Sequence, residues 1–175
     1  MNKPLRDIDG EVLNPGDLVW LYDHRPVELA IVIGERLSKA TASEASDAIF
    51  GYTIGNDVSC ENVHGWDHHL VRSKGADTFC VLGPWIDTDY SPDGKQIQGY
   101  HNETLIRDGY CQERLWKEPE LLAWISSWMT LEPGDVVLTG APSRVTDRIY
   151  FKNNDTFTCE IEGLGKLSNP FRSII

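Results

Sequence analysis

Two acids stand where acids are costly to hold. Glu28 interrupts the apolar, β-branched run Val27 to Ile33, and Asp57 closes the strand-like run GYTIGND directly after Asn56. A carboxylate carried by a sheet loses hydration unless a cation or several donors meet it. Lys74, in a glycine-bearing loop, has the right sign to do so. Two carboxylates and an ammonium group are the makings of an oxygen-ligand cation site with a proton carrier beside it. Taken singly, the same residues also fit a strand face turned to water and a turn-capping aspartate. A second group comprises His64, Asp67, His68 and His69. His64 and His68 are four apart, so on a helix they would share a face and could share a zinc ion. Gly65 lies between them and there is no His-Glu-x-x-His pattern, which leaves polar loop residues as the simpler reading. The sequence has neither a phosphate-cradling glycine loop nor a Gly-x-Ser-x-Gly elbow.

The elements around these residues are mostly short strands. Val27 to Ile33, closed by Gly34, reads as a buried strand, and 51–57 as another. Further strands are expected over 79–86, 136–139 and 156–162, with a hairpin over 96–107. Residues 41–50, with several candidate N-caps and early acids, predict a short helix. Residues 118–129 predict the clearest helix, with Pro119 in its first turn and an apolar stripe of Leu121, Leu122, Ile125, Trp128 and Met129. Residues 1–16 read as an arm or loose end, followed by a strand over Leu18 to Tyr22; 58–78 reads as polar and irregular. Short strands, two helices and frequent Gly/Pro punctuation favour a predominantly β, α+β fold in one domain spanning 1–175. No repeat or low-complexity linker divides the chain.

Composition narrows the partners. The 175 residues are 41% hydrophobic and 25% charged, an ordinary balance for a soluble globular domain. A net charge of −11 without a basic block makes nucleic acid and anionic membrane surfaces poor partners. Cys60, Cys80, Cys111 and Cys159 form no Cys-x-x-Cys pair, which fits reduced thiols in a cytoplasmic protein. The start, MNKPLRDIDGEV, carries no apolar signal core, and no run approaches a membrane span.

From Val27 onward the chain resembles the fumarylacetoacetate hydrolase family. ELAIVIG (28–34) and GYTIGNDVS (51–59) are similar to two of its signature strands. KGADTFCVLGPWI (74–86) is similar to its Lys-x-x-Asp-x-Phe…Gly-Pro-Trp segment. MTLEPGDVVLTGAP (129–142) and EIEGLGKLSNP (160–170) are similar to its closing segments. Several segments in one order make a chance match far less credible than any one alone. The resemblance implies a mixed β-sandwich roll with two short helices, usually a homodimer. It implies Mg2+ or Mn2+ held by carboxylates beside a pocket for small 2-oxo or 1,3-dicarbonyl (β-dicarbonyl) acids. Decarboxylation, enol–keto isomerisation or C–C hydrolysis would proceed there through a metal-stabilised enolate.

Residue by residue, the resemblance makes Glu28 and Asp57 metal ligands and Lys74 the catalytic lysine, with Asp77 structural. The first acid of the family's Glu-x-Glu pair falls on Pro26, so the ion is expected to be weakly held. Glu61, where the family has a basic residue, is a candidate replacement ligand. Thr139 and Gly140 keep part of the substrate turn, whose second Thr is Ala141. In the hairpin, where members often read Asn-Gly…Gln, stand Asn102, Glu103 and Arg107, with Arg107 a candidate substrate contact. The His/Glu lid pair of hydrolytic members has no counterpart before Met1, which favours decarboxylation or tautomerisation over hydrolysis. The alternative expectation is a non-catalytic binding or subunit protein that keeps the fold with a degraded site.

Overall fold

A computed structural model describes residues 27–59, 71–75, 77–147, 149 and 151–171. The elements are β1 (Val27–Ile33), α1 (Ala42–Asp47), β2 (Ile49–Asn56), α2 (Val71–Lys74), β3 (Val81–Asp87), β4 (Gln96–His101) and β5 (Thr104–Tyr110), followed by α3 (Glu118–Ser126), β6 (Val136–Leu138), β7 (Thr156–Ile161) and β8 (Gly165–Pro170). They form two four-stranded sheets, β3-β2-β1-β6 and β5-β4-β7-β8. Every pairing within them is antiparallel. The predominantly β sandwich with short helices is therefore the fold. Among the described residues, no helix is long and apolar enough to cross a membrane.

Alternation along β1 builds the core. Val27, Leu29 and Ile54 pack against Ile97, Phe157 and Ile161 of the facing sheet. Further along the same face of β1, Ile31 and Ile33 meet Ala45 and Leu122 of the helices. Every residue of β1 is buried, Glu28 included.

Local chemistry explains where the helices start. A capping box opens α1: Glu44 N donates to Thr41 Oγ1 at 3.3 Å and Thr41 N donates to Glu44 Oε2 at 2.8 Å. This helix ends at Asp47, earlier than its sequence suggests, because the next residues join β2, where Ile49 pairs with Ile33. Helix α3 opens on Glu118, carries Pro119 in its first turn and ends at Ser126. Leu122 is its buried anchor, whereas Trp128 (62% exposed) and Met129 (44%) lie beyond the helix and face outward. Trp116, Trp124 and Trp128 make a surface aromatic row, with ring centroids 6.4 and 5.7 Å apart.

Two elements were not expected from sequence, α2 within the polar 58–78 stretch and β8. Strand β8 has little apolar alternation to advertise it. Its pairing with β7 is dressed by Thr158 Oγ1 and Ser168 Oγ at 2.7 Å and by Lys166 with Glu160 at 3.0 Å. The expected arm and the strand over Leu18 to Tyr22 lie outside the described residues, as do His64, Asp67, His68 and His69.

The far end of the second sheet is tied by Asp155. Its carboxylate accepts from Lys152 N at 2.7 Å and Asn102 Nδ2 at 3.2 Å, and meets His101 Nε2 at 2.7 Å. Burial raises the carboxyl's pKa, but the Lys152 amide, His101 and Asn102 outweigh it, leaving the value below 3.8. A depressed folded-state value means the stabilisation is present above the unfolded value and is lost as pH falls through the folded one. Asp155→Asn should therefore cost about 1–3 kcal/mol at pH 7. Urea denaturation should show the gap from wild type closing below pH 4. An equal gap at pH 7 and pH 3 would exclude this role.

Candidate metal and substrate site

The β1–β2 register sets the site. Glu28 lies opposite Gly55, and Asp57, two residues on, continues the alternation toward the side of Glu28. Both carboxylates are withdrawn from water, Glu28 at 4% exposure and Asp57 at 7%. Each has acquired partners from elsewhere in the chain. Glu28 Oε2 accepts a hydrogen bond from Gly140 N at 2.6 Å. Asp57 Oδ2 forms an ion pair with Lys74 Nζ, which also donates to Ser59 Oγ at 3.1 Å. Ser59 Oγ in turn donates to the Asp57 carbonyl at 3.2 Å. Lys74 is the last residue of the one-turn helix α2, whose Gly75 N closes on Val71 O at 2.7 Å. That single turn projects the ammonium back to the end of β2.

The segment after β6 bridges the two sheets. Its start is pinned to β1: Thr139 donates to Leu29 O through N at 3.1 Å and through Oγ1 at 2.9 Å. Its end is pinned to β5: Asp108 N donates to Ser143 O at 3.4 Å and Val145 N to Ile106 O at 3.1 Å. Gly140 sits between them at φ 91°, the left-handed region in which glycine carries no Cβ penalty. Arg107 supports the turn from below, donating from Nη1 to Pro142 O at 3.1 Å. Room for this arginine comes from Gly99 opposite it. A Cβ at Gly99 would stand 2.8 Å from Phe157 Cζ, 3.0 Å from Val27 Cγ1 and 3.1 Å from Arg107 Cβ. Behind the turn is a cavity of ≈ 130 Å³ lined by Leu29, Ile97, Tyr110, Arg114 and residues 140–143.

The expected residues thus fall into two linked groups. Glu28, Thr139 and Gly140 meet on one side, Asp57 and Lys74 on the other, while Arg107 is buried beneath the turn. Asp77 is exposed, and Glu61 and Pro26 lie outside the described residues. Two residues were missed. Ser59 could have been taken from the Val-Ser pair after Asp57. Cys80 carries no sequence signal, yet it is exposed and close enough to sense the site. Burial raises its thiol pKa, the charges of Asp57 and Glu28 raise it further, and Lys74 opposes them.

Among the described residues, no three His, Cys, Asp or Glu side chains are grouped closely enough to hold a metal. The donor chemistry nevertheless fits a hard divalent ion. Buried carboxylates one register step apart offer oxygen ligands, and such an ion keeps several waters when protein ligands are few.

The β-sandwich thus brings buried carboxylates, a lysine and a glycine turn to one end of its strands. The family model described as fumarylacetoacetate (FAA) hydrolase C-terminal matches residues 10–172, and the chain belongs to that family. It is 35% identical over 155 residues to a human mitochondrial protein named oxaloacetate tautomerase FAHD2A, covering 82% of this chain and 48% of that one. Among solved structures it is similar to a 5-carboxymethyl-2-hydroxymuconate delta-isomerase from Mycobacterium smegmatis, at 41% identity and TM-score 0.77, covering 84% and 57%. It is also similar to a maleylpyruvate hydrolase from Sphingobium, at 27% identity and TM-score 0.72, covering 84% and 53%. The chain spans about half the length of the curated relatives it matches.

Proposed function

We propose that this domain is a divalent-metal-dependent enzyme acting on a small 2-oxo or β-dicarbonyl acid, with enol–keto isomerisation as its reaction. The carrying observation is the Asp57–Lys74 ion pair at the same strand ends as buried Glu28. Glu28 and Asp57 would hold Mg2+ or Mn2+. The chemistry such an ion would supply is positive charge at the oxygen of the substrate's oxo group, where negative charge develops as the proton on the adjacent carbon moves. Lys74, released from Asp57, gives its proton to the substrate carbon and regains one from water, into which the enol hydroxyl releases its own, so the isomerisation is proton-neutral. Thr139 and Gly140 orient the substrate carboxylate through the turn fixed on β1. Isomerisation needs only a stabilised enolate and a proton carrier, whereas hydrolysis also needs an activated water. Relatives named as a tautomerase and an isomerase support this choice, while one named as a hydrolase keeps C–C hydrolysis in the same chemical class.

Glu61 remains the candidate third ligand, and Arg107 acts from beneath the turn. The assembly we propose is a homodimer, supported by the outward-facing Phe50, Leu82, Trp85 and Ile86 on β2 and β3. Cys80, Cys111 and Cys159 stand outside any disulfide, which supports a reducing compartment such as the cytoplasm. The second reading, a binding protein without catalysis, is favoured by the fact that both carboxylates already have partners in the chain.

One experiment separates these readings. Mn2+ titration by calorimetry, with and without oxalate as an enolate mimic, is followed by ultraviolet assay of enol-oxaloacetate decay. Metal binding with accelerated decay is the expected result. Metal or oxalate binding without acceleration selects the binding protein, and no binding at all rejects the enzyme.

A further inference from the structure

The end of β2 carries two consecutive polar side chains with different partners. Asn56 pairs with Val27 of β1 and with Val81 of β3, the last rung on either side, so Asp57 stands one residue past the ladder. On an extended chain neighbouring side chains leave by opposite faces. Asp57 takes the face that meets Lys74, and Asn56 the face turned to the second sheet. There Asn56 Nδ2 donates to Asn169 Oδ1 of β8 at 2.9 Å, across 113 residues.

Asn56 is fully buried, at 0% exposure, and its Oδ1 has no hydrogen-bond partner among the described residues. A buried amide oxygen left unpaired is destabilising, and a leucine of similar shape would not carry that penalty. What the amide supplies and a leucine cannot is a directed bond. This one runs from the strand that carries Asp57 to β8, the outermost strand of the other sheet. Its anchor is stiff. Asn169 pairs with buried Phe157, and Phe171 N donates to Asp155 O at 2.8 Å. The Phe171 ring also stacks on Phe151, with centroids 4.2 Å apart. Rolling the end of β2 about its own axis would swing Asn56 off Asn169 and Asp57 off Lys74 in one rotation. The first bond therefore resists loss of the second.

We propose that Asn56 is a positioning residue: tethered to Asn169, it fixes the roll of the β2 end and so aims the Asp57 carboxylate at Lys74 and at the cation. For the cation the inference rests on the metal–enolate reading. The aim of Asp57 at Lys74 can be followed without any metal.

The test compares wild type with Asn56→Leu, Asn169→Ala and Asn169→Asp. Acetylation of lysine amines by acetic anhydride, read peptide by peptide in a mass spectrometer, follows the Asp57–Lys74 pair, because an amine held in an ion pair is less available to the reagent. Exposed Lys39 is the internal reference. Mn2+ affinity by calorimetry is the second readout. Asn169 is half-buried and can turn to water when its partner is lost, so Asn56→Leu should unfold at or above the wild-type temperature. It should nevertheless label Lys74 several-fold faster relative to Lys39 and bind Mn2+ about tenfold more weakly. Asn169→Ala should show both shifts with a lower unfolding temperature. Asn169→Asp keeps an acceptor for Asn56 Nδ2 and should return labelling and affinity to near wild type. An amide that only supports the fold would move the unfolding temperature and neither readout. Wild-type labelling of Lys74 in Asn56→Leu and Asn169→Ala, or no recovery in Asn169→Asp, overturns the positioning role. Faster labelling with unchanged Mn2+ affinity overturns its cation half. Wild type that binds no Mn2+ overturns the metal–enolate reading, and labelling alone then decides the role of Asn56.

Discussion

Replacing Lys74 with methionine should lower turnover by roughly 10²–10⁴-fold and, in the same protein, tighten Mn2+ binding several-fold. The two effects share one cause. The Lys74 ammonium bonds the Asp57 carboxylate and Ser59 Oγ, so it is both the proposed proton carrier and a rival of the cation for Asp57. Removing it destroys the first role and ends the second. Asp57, at 7% exposure, is then left without countercharge, and the metal-free variant should be less stable than wild type. Breaking a fully buried pair costs several kcal/mol, but the Lys74 side chain is 39% exposed, which reduces the expected loss to about 1–2 kcal/mol. Thermal unfolding should show a lower midpoint without metal and a larger Mn2+-dependent recovery than wild type. A parallel fall in Mn2+ affinity would mean that Lys74 supports the cation instead of competing with it.

Glu28→Gln should abolish turnover while leaving the turn in place. The amide oxygen can still accept from Gly140 N, so the 2.6 Å contact that holds the turn has a substitute, and the far-UV spectrum should be unchanged. The charge is lost, and with it a direct ligand. Groups one shell removed from a metal typically change affinity by roughly 10–100-fold, so a direct carboxylate should exceed that range. Asp57→Asn differs in a way that calorimetry combined with denaturation can resolve, because it also strands the Lys74 ammonium. Retention of wild-type Mn2+ affinity by Glu28→Gln would remove Glu28 from the cation site altogether.

The sequence exposes these residues unevenly. Glu28 stands out because β1 is apolar on both sides of it, and Asp57 because it ends a run of strand formers. Both signals are local and survive folding. Their partners are not local. Asp57 meets Lys74 across 17 residues, Arg107 meets Pro142 across 35, and Glu28 meets Gly140 across 112. Segments resembling a known family placed Lys74, Thr139 and Gly140 near the acids, but spacing alone could not. The helices show the same limit. The apolar stripe of α3 is readable as far as Ile125, which packs beside Leu122 on the second core cluster, but Trp128 and Met129 carry the pattern past the point where the helix ends. In α1, Ile49 and Phe50 were claimed by strand pairing, a tertiary demand that overrides local preference. Strand β8 exposes alternate residues on the outermost position of its sheet, so its hydrogen bonds to β7 define it more than any apolar pattern.

The turn after β6 is stitched to β1 through Thr139 and Gly140 and to β5 through Pro142, Ser143 and Val145. It is therefore a rivet through both leaves of the sandwich. Any shear of one leaf over the other must drag the rivet, and with it the backbone amide on which Glu28 rests. The void behind it leaves room for such travel. A ligand that clamps Glu28 would lock the leaves against sliding, so occupancy of the site and slow amide exchange along β1 and β5 should rise together.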